Sequence, residues 1–152
     1  CHRAENTNND YRLNQIFSAI AELAASNKVI LPLHPRTKKY LVKNKMIDIL
    51  KNVIVTDPLP FLDMILLEQS AKAILTDSGG MQKEAFFFGV PCITMRDETE
   101  WVETVELGWN TIVGANKEKI LNAVNLLNYG KSGFFPYGDG QASKNILKIL
   151  VK

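Results

Sequence analysis

The sequence lacks several features that would place it in a specialised class of protein. Two cysteines, Cys1 and Cys92, stand among 152 residues, too few for a disulfide framework or a cysteine-based metal site. No apolar run approaches the roughly twenty residues that a transmembrane helix needs, and no signal peptide or lipidation motif is present. We therefore expect a cytoplasmic protein with no metal and no membrane contact, in which Cys92 is a buried core residue.

Charge of one sign is also scarce. The formal net charge is +2 at pH 7, and neither a basic block nor an interleaved aromatic run occurs, so a nucleic-acid interface is not predicted. Hydrophobic residues make up 46% and charged residues 22% of the chain, which is ordinary for one globular domain with its own core. Any partner must be inferred from particular sites.

Helical and strand patterns alternate along the chain. Helical spacing of apolar residues predicts helices at 9–26, 38–50, 61–70, 81–88, 100–107, 116–128 and 141–151, with the 61–70 helix largely buried. Short continuous apolar runs predict strands at 29–33, 53–56, 73–76, 91–95 and 111–113. This order predicts an α/β domain built on a doubly wound, Rossmann-like parallel sheet.

The start of the chain bears on that sheet. The sequence opens on Cys1 without a methionine, and we interpret it as part of a larger protein. If a strand before Cys1 is absent, the sheet lacks its central member and its stability should be marginal, because a buried parallel strand forms ladders on both sides.

The stretch Leu75–Arg96 carries the clearest site. A predicted strand turns into a helix through Ser78, Gly79 and Gly80. Glycines at such a turn let the backbone approach a ligand, and the helix start offers free N–H groups and a positive dipole end, which suit phosphate. Glu84, one turn later, is placed to accept hydrogen bonds from ribose hydroxyls. The motif matches neither G-x-G-x-x-G nor the P-loop, and a tight turn without a ligand is the alternative.

Other polar residues follow predicted strand ends, where open α/β sheets bind their ligands. His2 is a candidate proton donor near a diphosphate, unless it belongs to a disordered terminus. His34 is either a cleft residue or a cap for its loop. Arg96 begins a cluster of charges that ends at Trp101; this cluster is either a ligand contact or a solvated turn, and Trp101 and Trp109 are either ring platforms or core residues.

Four separated motifs resemble one family. They are HRAEN at 2–6, TDSGGMQKEAFFFGVPCITMRDETEW at 76–101, NTIVG at 110–114 and PYGDGQAS at 136–143. In this order and spacing they resemble the non-hydrolysing UDP-N-acetylglucosamine 2-epimerases. The resemblance implies the carboxy-terminal half of a GT-B fold, with residues 1–152 forming the UDP-binding domain and a terminal helix at 141–151 that crosses to the other domain.

The resemblance also implies roles for individual residues. The turn of Ser78, Gly79 and Gly80 binds the diphosphate, Glu84 binds the ribose, and His2 lies near the diphosphate and assists catalysis. The segment from Leu59 to Met64 lies along the uracil, where many relatives have an aromatic residue in place of Met64. Arg96, from its place at a strand end, and Trp101 complete the candidate substrate contacts, and Trp101 stands where many members of the family have an arginine that contacts the cleft.

By the same resemblance, the reaction inverts C2 of the sugar by eliminating and re-adding UDP, without nicotinamide or metal. Its catalytic carboxylates belong to an amino-terminal domain, so this chain alone should bind UDP without turnover, within a homodimeric parent that serves bacterial surface polysaccharide synthesis. The D-E-T-E-W-V variant is similar to a branch acting on UDP-2,3-diacetamido-2,3-dideoxy-glucuronate. A donor-binding domain of a GT-B glycosyltransferase and a non-catalytic nucleotide-binding module are the remaining alternatives.

Overall fold

A computed structural model describes residues 1–151, in which eight α-helices and five strands occur. In chain order they are α1 (Ala4–Thr7), α2 (Asp10–Leu23), β1 (Ile30–Pro32), α3 (Pro35–Lys43), β2 (Ile54–Thr56), α4 (Phe61–Gln69), β3 (Ile74–Thr76), α5 (Gly79–Phe88), β4 (Cys92–Thr94), α6 (Val102–Glu106), β5 (Asn110–Ile112), α7 (Lys117–Asn125) and α8 (Ala142–Leu150). The predicted α/β class with parallel strands is confirmed.

The strands form two parallel sheets. Strand β1 pairs with β2, and β3, β4 and β5 pair in that order. A cavity of about 640 Å³, lined by residues of both β1 and β3 and by Cys1, lies between the two sheets. Among the described residues, β1 and β3 each pair with one strand, and the cavity lies between their unpaired edges.

The main core is built around α2, whose sequence has apolar residues at helical spacing. Asn9 caps its start by accepting a hydrogen bond from the Arg12 N–H, as expected for an N-cap asparagine. The helix buries its apolar face against α7, and the buried residues of this core include Leu13, Ile16, Phe17, Ile93 and Ile120. A smaller cluster of Ile74, Ala85, Val90 and Cys92 lies beneath α5, so Cys92 is a core residue as predicted.

Helix α5 carries the candidate site and has well-defined ends. It begins at Gly79, just after β3, and ends at Phe88, and the C-cap residue Gly89 has a φ of 65°. This left-handed conformation closes the helix and costs glycine little, because glycine has no Cβ. The chain then returns at once into β4, which pairs with β3, so the helix start stays at the carboxyl edge of the sheet.

The predicted helix 38–50 is wrong in its extent. Helix α3 begins at Pro35, a residue suited to the first helical turn, and ends at Lys43. Lys45 then takes a positive φ of 54°, which stops the helix, and a separate 3₁₀ turn follows at Ile47–Leu50. Apolar spacing alone predicted one helix here because Leu41 and Leu50 are both buried in the same core.

The prediction that the 61–70 helix is largely buried is also wrong. In α4, Phe61, Leu62 and Leu66 are each more than 60% exposed, whereas the charged Glu68 is 4% exposed. The helix therefore presents an apolar surface outward, a property that its composition could not reveal because burial depends on neighbouring elements.

The last helix, α8, is amphipathic and has no buried residue. Its apolar side chains Ile146, Leu147, Ile149 and Leu150 are 56–76% exposed. Among residues 1–151, no helix combines the length and the apolar character needed to cross a bilayer.

Candidate functional site

The parallel strands bring polar residues to one edge of the domain. His34 follows β1, Ser78 follows β3 and Arg96 follows β4. Carboxyl ends of parallel strands lie on the same side of a sheet, and ligands of open α/β sheets bind there. The candidate site is therefore built on this edge.

The turn before α5 leaves its first N–H groups available. Ser78 is the N-cap residue, and its side chain makes no capping hydrogen bond. The Ser78 N–H donates to Thr76 Oγ1 at 3.0 Å, which holds the turn. A Cβ built on Gly80 would meet no atom closer than Ser78 Oγ at 3.8 Å, so open space adjoins this glycine. Such a helix start attracts anions through its N–H groups and dipole.

The neighbouring glycine has the opposite surroundings. A Cβ on Gly79 would collide with Glu100 Oε1, because the Glu100 side chain packs directly on this residue. Arg96 Nη1 donates to Glu100 Oε2 at 2.8 Å, and Arg96 Nε donates to Glu5 Oε1 at 3.2 Å. A hydrogen bond from its own backbone N–H, followed by the Arg96 contact, lowers the pKa of Glu100. Arg96 thus pairs with two carboxylates beside the glycine turn.

Asp77 orients the segment that carries His2. Its carboxylate accepts hydrogen bonds from the backbone N–H groups of His2 and Arg3 at 3.0 Å and from Asn6 Nδ2 at 3.1 Å. Burial raises the pKa of Asp77, whereas these hydrogen bonds lower it, and the pKa lies below its ordinary value. Asp77 is therefore ionised and joins the start of the chain to the end of β3.

The His2 ring lies beside this carboxylate, with Nδ1 at 3.5 Å from Asp77 Oδ1. Desolvation by burial lowers the pKa of His2 despite the attraction of Asp77. The ring is consequently neutral at pH 7, and its side chain is 41% exposed. His2 therefore lies against Asp77 at the candidate site, and its role there stays a prediction.

The His34 ring is 5.3 Å from the His2 ring. His34 is the N-cap residue of α3, and its Nδ1 accepts a hydrogen bond from the Arg36 N–H at 3.1 Å. The capping role that the sequence offered for His34 is confirmed, and its position beside His2 places it at the edge of the candidate site.

Glu84 is half-buried on α5, one turn after the glycines. Glu68 of α4 lies close enough to interact electrostatically with it: burial, followed by repulsion from Glu84, raises the pKa of Glu68 to about 7. Glu68 Oε2 is buried without a hydrogen-bond partner among the described residues. A carboxylic acid that is neutral below pH 7 therefore lies near the residue expected to bind ribose.

We expect this carboxyl to make stability depend on pH. The folded state holds the Glu68 proton up to about pH 7, whereas the ordinary pKa is 4.5. The folded state thus binds more protons between these values, and the free energy of unfolding should fall with rising pH by about 1 to 3 kcal/mol, the lower figure allowing for solvent screening. Urea unfolding from pH 4.5 to 8 measures this slope, which Glu68→Gln should flatten and Glu118→Gln, an exposed control, should leave unchanged.

The residues expected near the uracil and the sugar occupy different surroundings. Leu59 is half-buried in the connection from β2 to α4, and Met64 lines the cavity between the sheets. Trp101 is half-buried; its ring lies under the Lys83 ammonium at 4.4 Å from the centroid. Trp109 packs near Gly89 and donates from Nε1 to the Lys131 carbonyl. These contacts give Trp109 a structural role.

Several contributors were missed by the sequence interpretation. Asp77 and Asn6 meet across 71 positions of sequence, and no local pattern signals such a pairing. Only Asp77 could have been found from the sequence, because it directly follows a predicted strand and therefore lies at the edge where ligands bind. Within residues 1–151, no group of three or more histidine, cysteine or acidic residues is arranged to hold a metal ion.

Comparison with known proteins identifies the family. The sequence profile described as UDP-N-acetylglucosamine 2-epimerase matches residues 1–151. A UDP-N-acetylglucosamine 2-epimerase homolog of Methanococcus maripaludis is 47% identical over 153 residues, which cover 98% of this chain and 42% of that protein. The UDP-2,3-diacetamido-2,3-dideoxy-D-glucuronate 2-epimerase of Pseudomonas aeruginosa is 46% identical over 156 residues, covering 99% of this chain and 43% of the relative.

Solved structures agree with these sequence matches. The crystal structure of Methanocaldococcus jannaschii UDP-GlcNAc 2-epimerase in complex with UDP-GlcNAc and UDP superposes with a TM-score of 0.88 at 43% identity, covering 99% of this chain and 43% of that one. The chain thus spans less than half the length of the relatives that it matches, and its architecture is the Rossmann-like half of their GT-B-like fold. On its sequence, its fold and the arrangement of its motifs, this chain belongs to the UDP-N-acetylglucosamine 2-epimerase family.

Proposed function

We propose that this chain is the UDP-binding portion of a nucleotide-sugar 2-epimerase that interconverts UDP-GlcNAc and UDP-ManNAc. The observation that carries the proposal is the open glycine turn at the start of α5, which lies at the same sheet edge as His2 and Arg96. A relative of the same fold is described in complex with UDP-GlcNAc and UDP, which supports the same ligand class here.

In the proposed complex, the diphosphate binds at the start of α5. Backbone N–H groups after Ser78 donate to the phosphate oxygens, and the absence of a Cβ on Gly80 allows close approach. Glu84 accepts hydrogen bonds from the ribose hydroxyls, while Leu59 and Met64 flank the uracil. Arg96 adds a positive charge, and Trp101 contacts the sugar side of the site.

His2 changes its protonation state on ligand binding. Burial lowers the pKa of the His2 ring, but a diphosphate nearby would raise that pKa by charge attraction. A protonated His2 can then stabilise or protonate the diphosphate as it leaves the sugar. Asp77, held by three backbone and side-chain donors, keeps the His2 segment in place.

The proposed reaction needs groups beyond this chain. A base removes the C2 proton while the C1–O bond breaks and UDP leaves with the bonding electrons, which forms a glycal. A proton then adds to the opposite face of C2 as UDP returns to C1. We assign the carboxylates for these transfers to the amino-terminal domain of the whole protein, whose contact with α8 would cover the exposed apolar face of that helix.

The whole protein is proposed to be a cytoplasmic homodimer whose product enters surface polysaccharide synthesis. The second candidate substrate is UDP-2,3-diacetamido-2,3-dideoxy-glucuronate. The Pseudomonas aeruginosa enzyme named for that sugar is 46% identical to this chain. In addition, the Lys83 ammonium lies over the ring of Trp101, the residue proposed to contact the sugar.

Proton NMR of the full-length protein in D₂O with UDP-GlcNAc and no acceptor tests the reaction class. Epimerisation should yield the manno product and replace the C2 proton with deuterium. If UDP-GlcNAc is unchanged but the diacetamido-glucuronate nucleotide incorporates deuterium, the second candidate is the substrate. No exchange with either nucleotide, together with sugar transfer to an added acceptor, would refute the proposal in favour of a glycosyltransferase.

The ribose assignment gives a separate prediction for this chain. Glu84→Ala should weaken UDP binding by about ten- to a hundredfold, because it removes a charge-assisted hydrogen bond worth about 1.5 to 3 kcal/mol. The same variant should bind UDP and 2′,3′-dideoxy-UDP with equal affinity, whereas the wild type should prefer UDP. Isothermal titration measures both, with the exposed Glu118→Ala as the control. A wild type that does not distinguish the two nucleotides would contradict the assignment.

A further inference from the structure

The loop that carries Arg96 is held from below by a buried polar network. Gln82 lies in the first turn of α5 and is completely buried. Its Oε1 accepts hydrogen bonds from Thr99 Oγ1 at 2.5 Å and from Asn110 Nδ2 at 3.0 Å. Both lone pairs of the amide oxygen are thereby used, and they join α5, the 96–101 loop and β5.

The contact with Thr99 sets the course of the loop. Thr99 Oγ1 also accepts a hydrogen bond from the Trp101 N–H at 3.1 Å. Glu100, between these two residues, therefore projects the other way, onto Gly79 and toward Arg96. The buried hydrogen bond between Gln82 and Thr99 thus fixes the position of the Arg96–Glu100 pair on the surface of the domain.

The other side of the network is structural. Asn110 Oδ1 accepts from Thr94 Oγ1 at 2.7 Å, and Asn110 Nδ2 donates to Thr104 Oγ1 at 3.1 Å. Thr94, Thr104 and Asn110 are all buried. In a low-dielectric interior such hydrogen bonds are strong, and a lost acceptor leaves its donor unpaired.

We propose that Gln82 is a positioning residue for the nucleotide site: by holding Thr99 it keeps the 96–101 loop against the start of α5, so that Arg96 can bind the diphosphate of the ligand. The inference rests on the proposed function, because it assumes that UDP binds at this turn. Gln82 does not touch the ligand. Its effect on binding passes through the loop, whereas Thr94 supports the same network without contacting the loop.

A double-mutant cycle tests this role, with UDP affinity from titration and stability from urea unfolding. Gln82→Met keeps the side-chain volume but removes the acceptor. It should weaken UDP binding about tenfold and reduce the effect of Arg96→Ala from about tenfold to less than twofold. The matched control Thr94→Val removes a buried hydrogen bond of the same network. It should lower stability by about 1 kcal/mol while UDP affinity and the Arg96→Ala effect stay unchanged.

The opposite pattern would overturn the inference. If Arg96→Ala weakens binding by the same factor with Gln82 or methionine at position 82, the two residues are not coupled. If Gln82→Met and Thr94→Val both lower stability and neither changes affinity, Gln82 is purely structural. A wild-type protein that does not bind UDP would refute the proposed function, and this inference with it.

Discussion

Replacing Gly80 with valine should abolish UDP binding while leaving the fold intact. Gly80 is inside α5, and a Cβ there meets only open space, with Ser78 Oγ at 3.8 Å as the nearest atom. Valine is slightly better than glycine within a helix, so stability should be unchanged or a little higher. The added methyl groups, however, occupy the space through which the backbone would meet the diphosphate. We expect a loss of at least about a hundredfold in affinity, or about 2.7 kcal/mol.

Isothermal titration with UDP and urea unfolding of the same samples separate the two effects. Gly80→Ala should fall between the wild type and Gly80→Val, because its side chain is smaller. Asn125→Val, at an exposed position of α7, is the control for adding a β-branched residue to a helix. Valine at position 80 with affinity within threefold of the wild type would show that the diphosphate does not bind at this turn.

Replacing Asp77 with alanine should have the largest effect on stability. The carboxylate is fully buried and accepts hydrogen bonds from His2, Arg3 and Asn6. Its removal takes the acceptor from the His2 and Arg3 N–H groups, leaves Asn6 with only its hydrogen bond to the Met95 carbonyl, and detaches the start of the chain from β3. Breaking a buried charged network typically costs about 3 to 5 kcal/mol. Asp97→Ala is the matched control: this carboxylate is 69% exposed and pairs with Arg12, so its loss should cost less than about 1 kcal/mol.

The contribution of Asp77 to the free energy of unfolding should also depend on pH. Since the pKa of the folded-state carboxyl lies below its ordinary value, its stabilising contribution is present above about pH 4 and is lost as pH falls through the folded pKa. Urea unfolding between pH 2 and 7 should show an acid loss of stability in the wild type that is smaller in Asp77→Ala. Equal acid sensitivity of the two proteins would mean that Asp77 does not hold the His2 segment.

The sequence predicted most elements because their signals are local. Apolar runs at positions such as Ile74 and Cys92 are buried on both faces of a parallel sheet, and the helical spacing of α2 matches its buried face. Gly89 was recognisable as a helix end because a left-handed residue favours glycine. The candidate turn at Ser78 and Gly80 could also be recognised from its glycine, because close approach of the backbone to a phosphate requires a residue without a side chain.

Errors arose where the outcome depends on distant neighbours. Helix α4 is apolar in composition, yet Phe61 and Leu62 are exposed, because α4 lies where the described residues supply no cover for that face. The predicted helix 38–50 was interrupted at Lys45, whose positive φ has no signal in hydrophobic spacing. Burial and helix length at these places follow from packing, which a local pattern does not contain.

The sequence by itself determined the element order, the parallel α/β class, the glycine turn and the family motifs, because each of these is set by residues close together in the chain. Tertiary structure alone decided that Asp77 holds the His2 segment, that Glu100 packs on Gly79 and that Gln82 supports the 96–101 loop. The physical reason is that a buried polar group is stable only with a partner, and folding selects that partner from residues far apart in sequence.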